Sequence, residues 1–390
     1  MDRFSDLENK YVLDVLNNSF NNSLNNVYNS KLEKAFAQKF KSNFAIGITN
    51  GTATLHTALK ALDIGTGDEV IVPPLTMASP SLAVLQNGSI PVFADVDPET
   101  FCITAEAIEK VITKKTKVVM TVSLYGLAPD YDKIMLVCKK HNLFLIEDNA
   151  QCFLGQYKNK LVGEFGHFSS YSFQSSKHMT SGEGGMLTVN DEVLADKARK
   201  FSCLGYAGVS SKQAKVSRLS IQDPNYSRIN SLGFNYRMSE LNSAVALGQL
   251  ERLDDLVNNR IHSAKIFDSV VKRTSKFTAQ TEPEGYINSY WAYSVLLNTH
   301  QPETDWYKFR DQFQKNGGDG YYAAWKLTYM EPYFQKEVSK MTGIWQKFGP
   351  GLCPIAENLQ PRLKQFKTNY WNLEEAHMQA EILEKTIKGF

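Results

Sequence analysis

The chain has 390 residues, with 43 lysines and arginines against 41 acidic residues and a formal net charge of +2. Its 43% hydrophobic and 22% charged residues are the balance of a folded globular protein, long enough for a large domain and a smaller one. Basic pairs such as Lys114-Lys115 are too short to track a phosphate backbone, and no apolar stretch nears the ~20 residues that span a bilayer, which excludes nucleic acid and membrane as partners.

The first thirty residues are rich in Asn and Ser and predict a short helix followed by a flexible crossing segment through Asn17–Asn22. Helical spacing follows over Leu32–Phe40. From Phe44 to Val189, apolar strands alternate with amphipathic helices. Strands are expected at Glu69–Val72, Pro91–Ala94, Lys117–Val122, Leu143–Ile146 and Gly185–Val189, with helices at Ala53–Leu62, Ala105–Ile112 and Asp132–Lys140. This alternation predicts an α/β layered sheet. Residues 205–228 lack apolar periodicity and predict a long loop, and Ser239–Arg273 predicts one or two helices. The domain change is expected near Leu256, dividing the chain into 1–255, an N-terminal segment with a large domain, and 256–390, a small α+β domain. That second part holds an expected strand at Trp291–Leu297 and helix at Asp305–Lys315.

Five cysteines (Cys102, Cys138, Cys152, Cys203 and Cys353) lack metal-ligand spacing, so reduced thiols and no metal site are expected. The opening Met1-Asp-Arg-Phe-Ser-Asp has no basic-then-apolar order, and the expected location is cytoplasmic.

Three segments carry chemistry. Ile46-Gly-Ile-Thr-Asn-Gly-Thr52 runs from an apolar strand into a helix start. It is either an ordinary N-cap or a phosphate site, where Gly51 allows close approach and Thr52 adds a hydroxyl. Leu143-Phe-Leu-Ile-Glu-Asp148 is a buried strand ending in a carboxylate, at the sheet end where open parallel sheets gather ligand groups. Asp148 either caps a turn or meets a cation such as a protonated pyridine ring. In Ser172-Phe-Gln-Ser-Ser-Lys177-His-Met-Thr-Ser-Gly-Glu-Gly-Gly185, Lys177 is either a solvated loop residue or an amine that forms an imine with a carbonyl cofactor. Taken together, the three ask for a ligand with a phosphate, a ring nitrogen and an aldehyde, which is pyridoxal 5′-phosphate.

These segments occur in order with Gly-Asp-Glu-Val-Ile-Val-Pro-Pro at 67–74, Pro91-Val-Phe-Ala-Asp-Val-Asp97, Leu124-Tyr-Gly-Leu-Ala-Pro-Asp130 and Gly233-Phe-Asn-Tyr-Arg-Met-Ser-Glu240. The chain, from about Leu32 to Glu357, thereby resembles the DegT/StrS-type sugar aminotransferases of the fold-type-I pyridoxal-phosphate enzymes. The resemblance implies a large, mostly parallel-sheet domain and a smaller α+β C-terminal domain. It implies that Lys177 is the imine lysine and general acid/base, with Asp148 on the pyridine nitrogen and Gln151 by the ring hydroxyl. Gly51, Thr52 and Ser172 are implied phosphate contacts, completed by Asn235 from the second subunit of a homodimer with a shared site. Tyr125, Glu183 and Arg237 are candidate substrate residues, Arg237 and the 205–228 loop for the donor carboxylate or a sugar diphosphate. Tyr125 is as readily a loop-packing residue, Arg237 part of a structural ion pair, and Glu183 structural.

Two departures from the family pattern stand out. Met77 occupies the place where these enzymes put an aromatic residue over the cofactor ring, a contact that a thioether makes in part. Gly317–Trp325 and Leu363–Trp371 are unusual where the small domain meets substrate. The implied activity moves an amino group from L-glutamate (or glutamine) to a keto sugar. A nucleotide-linked keto-deoxyhexose destined for amino sugars of surface polysaccharide such as O-antigen is the expected acceptor. Gln174 is shared with relatives that aminate keto-cyclitols, the alternative acceptors. Sugar dehydratases of this type carry histidine at the lysine position, whereas here Lys177 precedes His178. A catalytically silent regulatory homologue is the remaining alternative.

Overall fold

The computed structural model describes residues 2–19, 27–214 and 216–390, and the second half of the expected Asn17–Asn22 segment lies outside them. Its central sheet consists of β1 (Phe44–Ile48), β2 (Glu69–Val72), β3 (Ile90–Phe93), β4 (Thr116–Val122), β5 (Phe144–Asp148), β6 (Phe168–Ser172) and β7 (Gly185–Val189). The spatial order is β1-β7-β6-β5-β4-β2-β3. Neighbours from β3 to β6 are parallel, and β7 runs antiparallel to both β6 and β1. The sheet is therefore mostly parallel, as expected. All five expected strands are found, each within two residues of its expected bounds.

β6 was not expected. Its sequence, Phe168-Ser-Ser-Tyr-Ser172, looks polar, yet every residue in it is buried. The serines are satisfied inside: Ser170 Oγ meets Thr54 Oγ1 at 2.5 Å, and Ser169 Oγ donates to Glu147 Oε1 at 3.1 Å. Glu147 on β5 is the hub of this region. Its carboxylate also accepts the backbone N–H groups of Gly163 (2.8 Å), Phe165 (2.9 Å) and Gly166 (2.5 Å). Buried acceptors of this kind must be paired, and one carboxylate here orders the loop between β5 and β6.

Helices α1 (Asp6–Asp14), α2 (Val27–Lys39), α3 (Gly51–Ala61), α4 (Ser79–Gln86), α5 (Ala105–Val111), α6 (Tyr131–His141) and α7 (Glu192–Ser202) accompany the sheet. Ser5 and Glu8 close a capping box at the start of α1. The described residues of 205–214 and 216–228 are irregular apart from a short helix at Arg218–Gln222. The expected 239–273 helix is broken at Arg252 into α8 (Glu240–Glu251) and α9 (Leu253–Val271).

The division expected between 255 and 256 falls inside α9, which serves two cores. Leu253, Leu256 and Val257 pack with Phe36 and Tyr171, whereas Ala264, Phe267 and Val270 pack with the second sheet. That sheet has β8 (Phe277–Ala279), β9 (Ala292–Leu297), β10 (Tyr322–Ala323) and β11 (Leu363–Lys367) in the order β8-β9-β11-β10, all antiparallel. Helices α10 (Pro302–Lys315) and α11 (Leu373–Gly389) contribute Phe309, Phe313, Ala380 and Leu383 to its core. Ala324, Leu327, Tyr329 and Phe334 return to the core of the large sheet, carrying the end of β10 back towards the first domain.

Glu147→Ala is expected to destabilise the fold by about 3 kcal/mol, because several buried donors lose their acceptor, and Glu147→Gln by less. Urea unfolding of the two variants checks the order.

Candidate active site

The carboxyl ends of β4, β5 and β6 and the start of α3 open into one cavity of about 630 Å³. At one end lies the N-terminus of α3. Asn50 Oδ1 accepts the Ala53 N–H at 2.8 Å and the Asn50 carbonyl accepts that of Thr54 at 3.2 Å. The amides of Gly51 and Thr52 are left without intrahelical partners, at the positive end of the helix dipole. A Cβ at position 51 would stand 2.9 Å from Ser172 Cβ, so only glycine fits there. Thr52 Oγ1 and Ser79 Oγ meet at 2.7 Å beside it. This cradle has the donors and the space for a phosphate.

Asp148 and Lys177 occupy the floor. Asp148 is buried and accepts a hydrogen bond from the Ala150 N–H at 3.0 Å. Burial raises its carboxyl to about 6, against the pull of that bond and of Lys177. Burial also lowers the Lys177 amine to about 8, with Asp148 opposing and Arg260 assisting. A carboxylate short of partners, an amine close to neutral and a phosphate cradle in one cavity fit pyridoxal phosphate. Asp148 would meet the ring nitrogen, Lys177 the aldehyde carbon, and Gly51, Thr52 and Ser172 the phosphate.

Arg260 of α9 had no signal in the sequence beyond its place on a helix. Its guanidinium is fully buried, donating to the carbonyls of Ser176 (2.9 Å), Lys177 (3.0 Å) and Trp291 (2.9 Å) and to Thr368 Oγ1 (3.3 Å). Among the described residues no carboxylate pairs with it, so its charge stays available to Lys177. Burial, followed by the nearby Arg3, lowers Arg260 itself to about 9. Trp291 is fixed by the same clamp: its Nε1 donates to the Ser176 carbonyl at 3.0 Å, and Lys177 Nζ lies 4.9 Å from its ring centroid.

Of the expected site residues, Gly51, Thr52, Met77, Asp148, Gln151, Ser172, Lys177 and Glu183 all line the cavity, and Gln174 joins them. Met77 is 45% exposed, with its Sδ accepting from Ser79 N (3.2 Å) and Oγ (3.1 Å). Tyr125 does not line the cavity. It is buried behind it with φ 61°, its N–H donating to Gln151 Oε1 at 2.9 Å and its ring stacked on Trp291. Asn235 and Arg237 are exposed and lie outside the lining. Tyr236 between them turns inwards, its hydroxyl 3.2 Å from His56 Nδ1. Burial pushes His56 down to about 4, so it meets Tyr236 as a neutral ring. Trp291, Trp325, Tyr236 and Gln86 are further lining residues that were not among the expected site residues, although Tyr236 lies in the 233–240 motif and Trp325 ends the unusual 317–325 segment.

The sequence matches the DegT/DnrJ/EryC1/StrS aminotransferase family over residues 3–347. The chain belongs to that family. It is 39% identical over 256 residues to the GDP-perosamine synthase of Escherichia coli O157:H7, an alignment covering 66% of each chain and thus just under two thirds of that relative. It is 36% identical over 220 residues to the L-glutamine:2-deoxy-scyllo-inosose aminotransferase of Micromonospora echinospora, covering 56% of this chain and 51% of the relative. The solved aminotransferase from Psychrobacter cryohalolentis superposes with a TM-score of 0.86 at 29% identity, covering 99% of this chain and 98% of that one. The match in fold covers nearly the whole chain, the small domain included.

Arg260→Gln keeps an amide donor but removes the charge, and is expected to move the Lys177 amine up from about 8 towards the ordinary lysine range. The rate at which acetic anhydride acetylates Lys177 in cofactor-free protein, followed by mass spectrometry across pH, reports this. An inflection that stays near its wild-type position would mean that burial alone depresses the amine.

Proposed function

We propose that this family member is a pyridoxal-phosphate-dependent aminotransferase that moves an amino group from L-glutamate, or glutamine, to a keto sugar. The observation that carries the reading is the convergence of Lys177, Asp148 and the α3 cradle on one cavity. The acceptor class we assign is a nucleotide-linked keto-deoxyhexose, supported by the likeness to a GDP-perosamine synthase. The product would be an amino sugar for surface polysaccharide, made in the cytoplasm. No helix among the described residues is long and apolar enough to cross a membrane.

Each residue has a task in this reading. Pyridoxal phosphate supplies the electron sink and carries the amino group between donor and acceptor. Asp148, ionised above about pH 6, holds a proton on the ring nitrogen. Lys177, held low by burial, has a neutral fraction near physiological pH and takes the proton from the donor α-carbon. The Trp291 ring lies against that amine, and Arg260 holds the Lys177 backbone carbonyl.

A homodimer is part of the proposal. Leu219 (81% exposed), Ile229 (57%) and Leu232 (75%) are exposed apolar side chains in the stretch that leads to exposed Asn235. Exposed apolar patches mark association sites. Asn235 would reach the partner's phosphate cradle there, and Arg237 would serve the donor carboxylate or the acceptor diphosphate.

The purified protein is expected to absorb at ~420 nm and to shift towards ~330 nm on addition of L-glutamate, as a protein-bound pyridoxal cofactor accepting an amino group does. Lys177→Ala should abolish turnover. A protein that pyridoxal phosphate cannot reconstitute would overturn the reading. Sedimentation should give a dimer, with Asn235→Ala losing cofactor affinity; a loaded, active monomer would refute the shared site.

A further inference from the structure

The cavity has an aromatic wall that none of the proposed cofactor contacts uses. Trp291 lies nearly parallel to two rings, Tyr125, with centroids 6.4 Å apart and 9° between planes, and Trp325, at 5.8 Å and 18°. Both indoles are half-buried and line the cavity. Trp291 is the ring against Lys177 Nζ, so the wall begins at the reacting amine.

Trp325 is held in place rather than loosely draped. It follows β10, and the two residues before it are tied down: Gln365 Nε2 donates to the Ala323 carbonyl at 2.7 Å, and Gln360 Nε2 to that of Ala324 at 3.2 Å. After it, Leu327 is buried in the large-sheet core and the Thr328 N–H bonds to the Pro74 carbonyl at 3.2 Å. An aromatic platform preorganised in this way loses little entropy when a ligand settles on it. This is the segment 317–325 that departs from the family pattern.

The polar side chains on the lining complete the picture. Gln86, Gln174 and Ser176 are neutral donors and acceptors, Glu183 is a carboxylate, and Lys177 is the only lysine or arginine among the described lining residues. Beside the phosphate cradle of α3, these side chains offer hydrogen bonds to hydroxyls, and the indoles offer a flat apolar face to C–H groups.

We propose that Trp325 and Trp291 form the subsite for the acceptor ring, binding the C–H face of an uncharged six-membered polyol. The keto carbon is thereby brought to Lys177, and any nucleotide diphosphate lies outside this wall. The inference rests on the aminotransferase reading and names the surface that selects its acceptor.

Two rings test it, free 2-deoxy-scyllo-inosose and the sugar of GDP-perosamine. With cofactor-free protein, saturation-transfer NMR is expected to show the strongest transfer on ring C–H protons. Trp325→Ala should cut that transfer and Trp325→Phe should keep most of it. With loaded enzyme, 2-deoxy-scyllo-inosose is given to the pyridoxamine form, which a ketone returns to the pyridoxal form, and GDP-perosamine to the pyridoxal form, and each exchange is compared by absorbance with the glutamate exchange. Trp325→Ala should lower the ratio of ring rate to glutamate rate by about tenfold or more, as expected for losing an aromatic contact and its buried area. An equal fall in both rates, or transfer to the nucleobase instead of the sugar, would overturn the subsite. Wild-type enzyme that exchanges with glutamate but binds neither ring would also overturn it, while leaving the aminotransferase reading intact. Failure of the glutamate exchange itself would strike that reading, and the NMR arm would still judge the subsite.

Discussion

A lysine can attack a carbonyl only when its amine is neutral, and a carboxylate can hold a proton on a ring nitrogen only when it is charged. Water satisfies the two demands poorly together, because it keeps free lysine protonated. Here both groups are taken out of water at the same sheet edge, and desolvation lowers Lys177 while it raises Asp148. The mutual attraction of the pair resists both shifts. Burial outweighs that attraction at Lys177, and Arg260 adds a smaller push in the same direction with a second positive charge that no carboxylate among the described residues pairs. Much of the surrounding architecture serves to make this burial tolerable.

The sheet topology delivers the pieces. β4, β5 and β6 are parallel neighbours, so their carboxyl ends bring Val122, Asp148 and Ser172 side by side. The antiparallel β7 then lays Gly185 beside Ser172, returning the chain after the lysine loop to the same edge. β1 lies on the far side of β7, which puts the start of α3 against Ser172 closely enough to demand glycine at 51. Through α9 and the return of β10 to the first core, the small domain contributes Arg260, Trp291 and Trp325 from above. The Lys177 segment is thus held by both domains at once, through the carbonyls of Ser176 and Lys177.

Met77 and Trp325 belong to the same local chemistry. A family position that usually carries an aromatic ring holds a thioether, bound to Ser79 and left substantially exposed. The aromatic surface of the cavity comes instead from the opposite side, as the Tyr125, Trp291 and Trp325 stack. Tyr125 adopts a left-handed backbone to join it, a strain of roughly 1–3 kcal/mol that persists because Gln151 and the stacked indole over-determine it. Strain retained beside reacting groups is a mark of a preorganised site.

What the sequence determined by itself was local. Apolar runs bounded by turn residues placed the covered strands, since parallel strands buried on both faces announce themselves as unbroken hydrophobic stretches. Gly51, Asp148 and Lys177 were legible because each follows a strand or turn signal that brings it to the same sheet edge. β6 escaped because its serines look like loop, and only the hydroxyl partners supplied by Thr54 and Glu147 make it a buried strand. The tertiary structure alone decided the places of Arg260, Trp291, Trp325 and Tyr236, which lie far from Lys177 in the chain; Tyr236 falls within the 233–240 motif, but nothing there showed that its side chain turns inwards. It also decided that Tyr125 supports the wall from behind while Asn235 and Arg237 face outwards. Those assignments depend on packing between distant segments, and the direction a side chain faces across two domains is not written in local propensity.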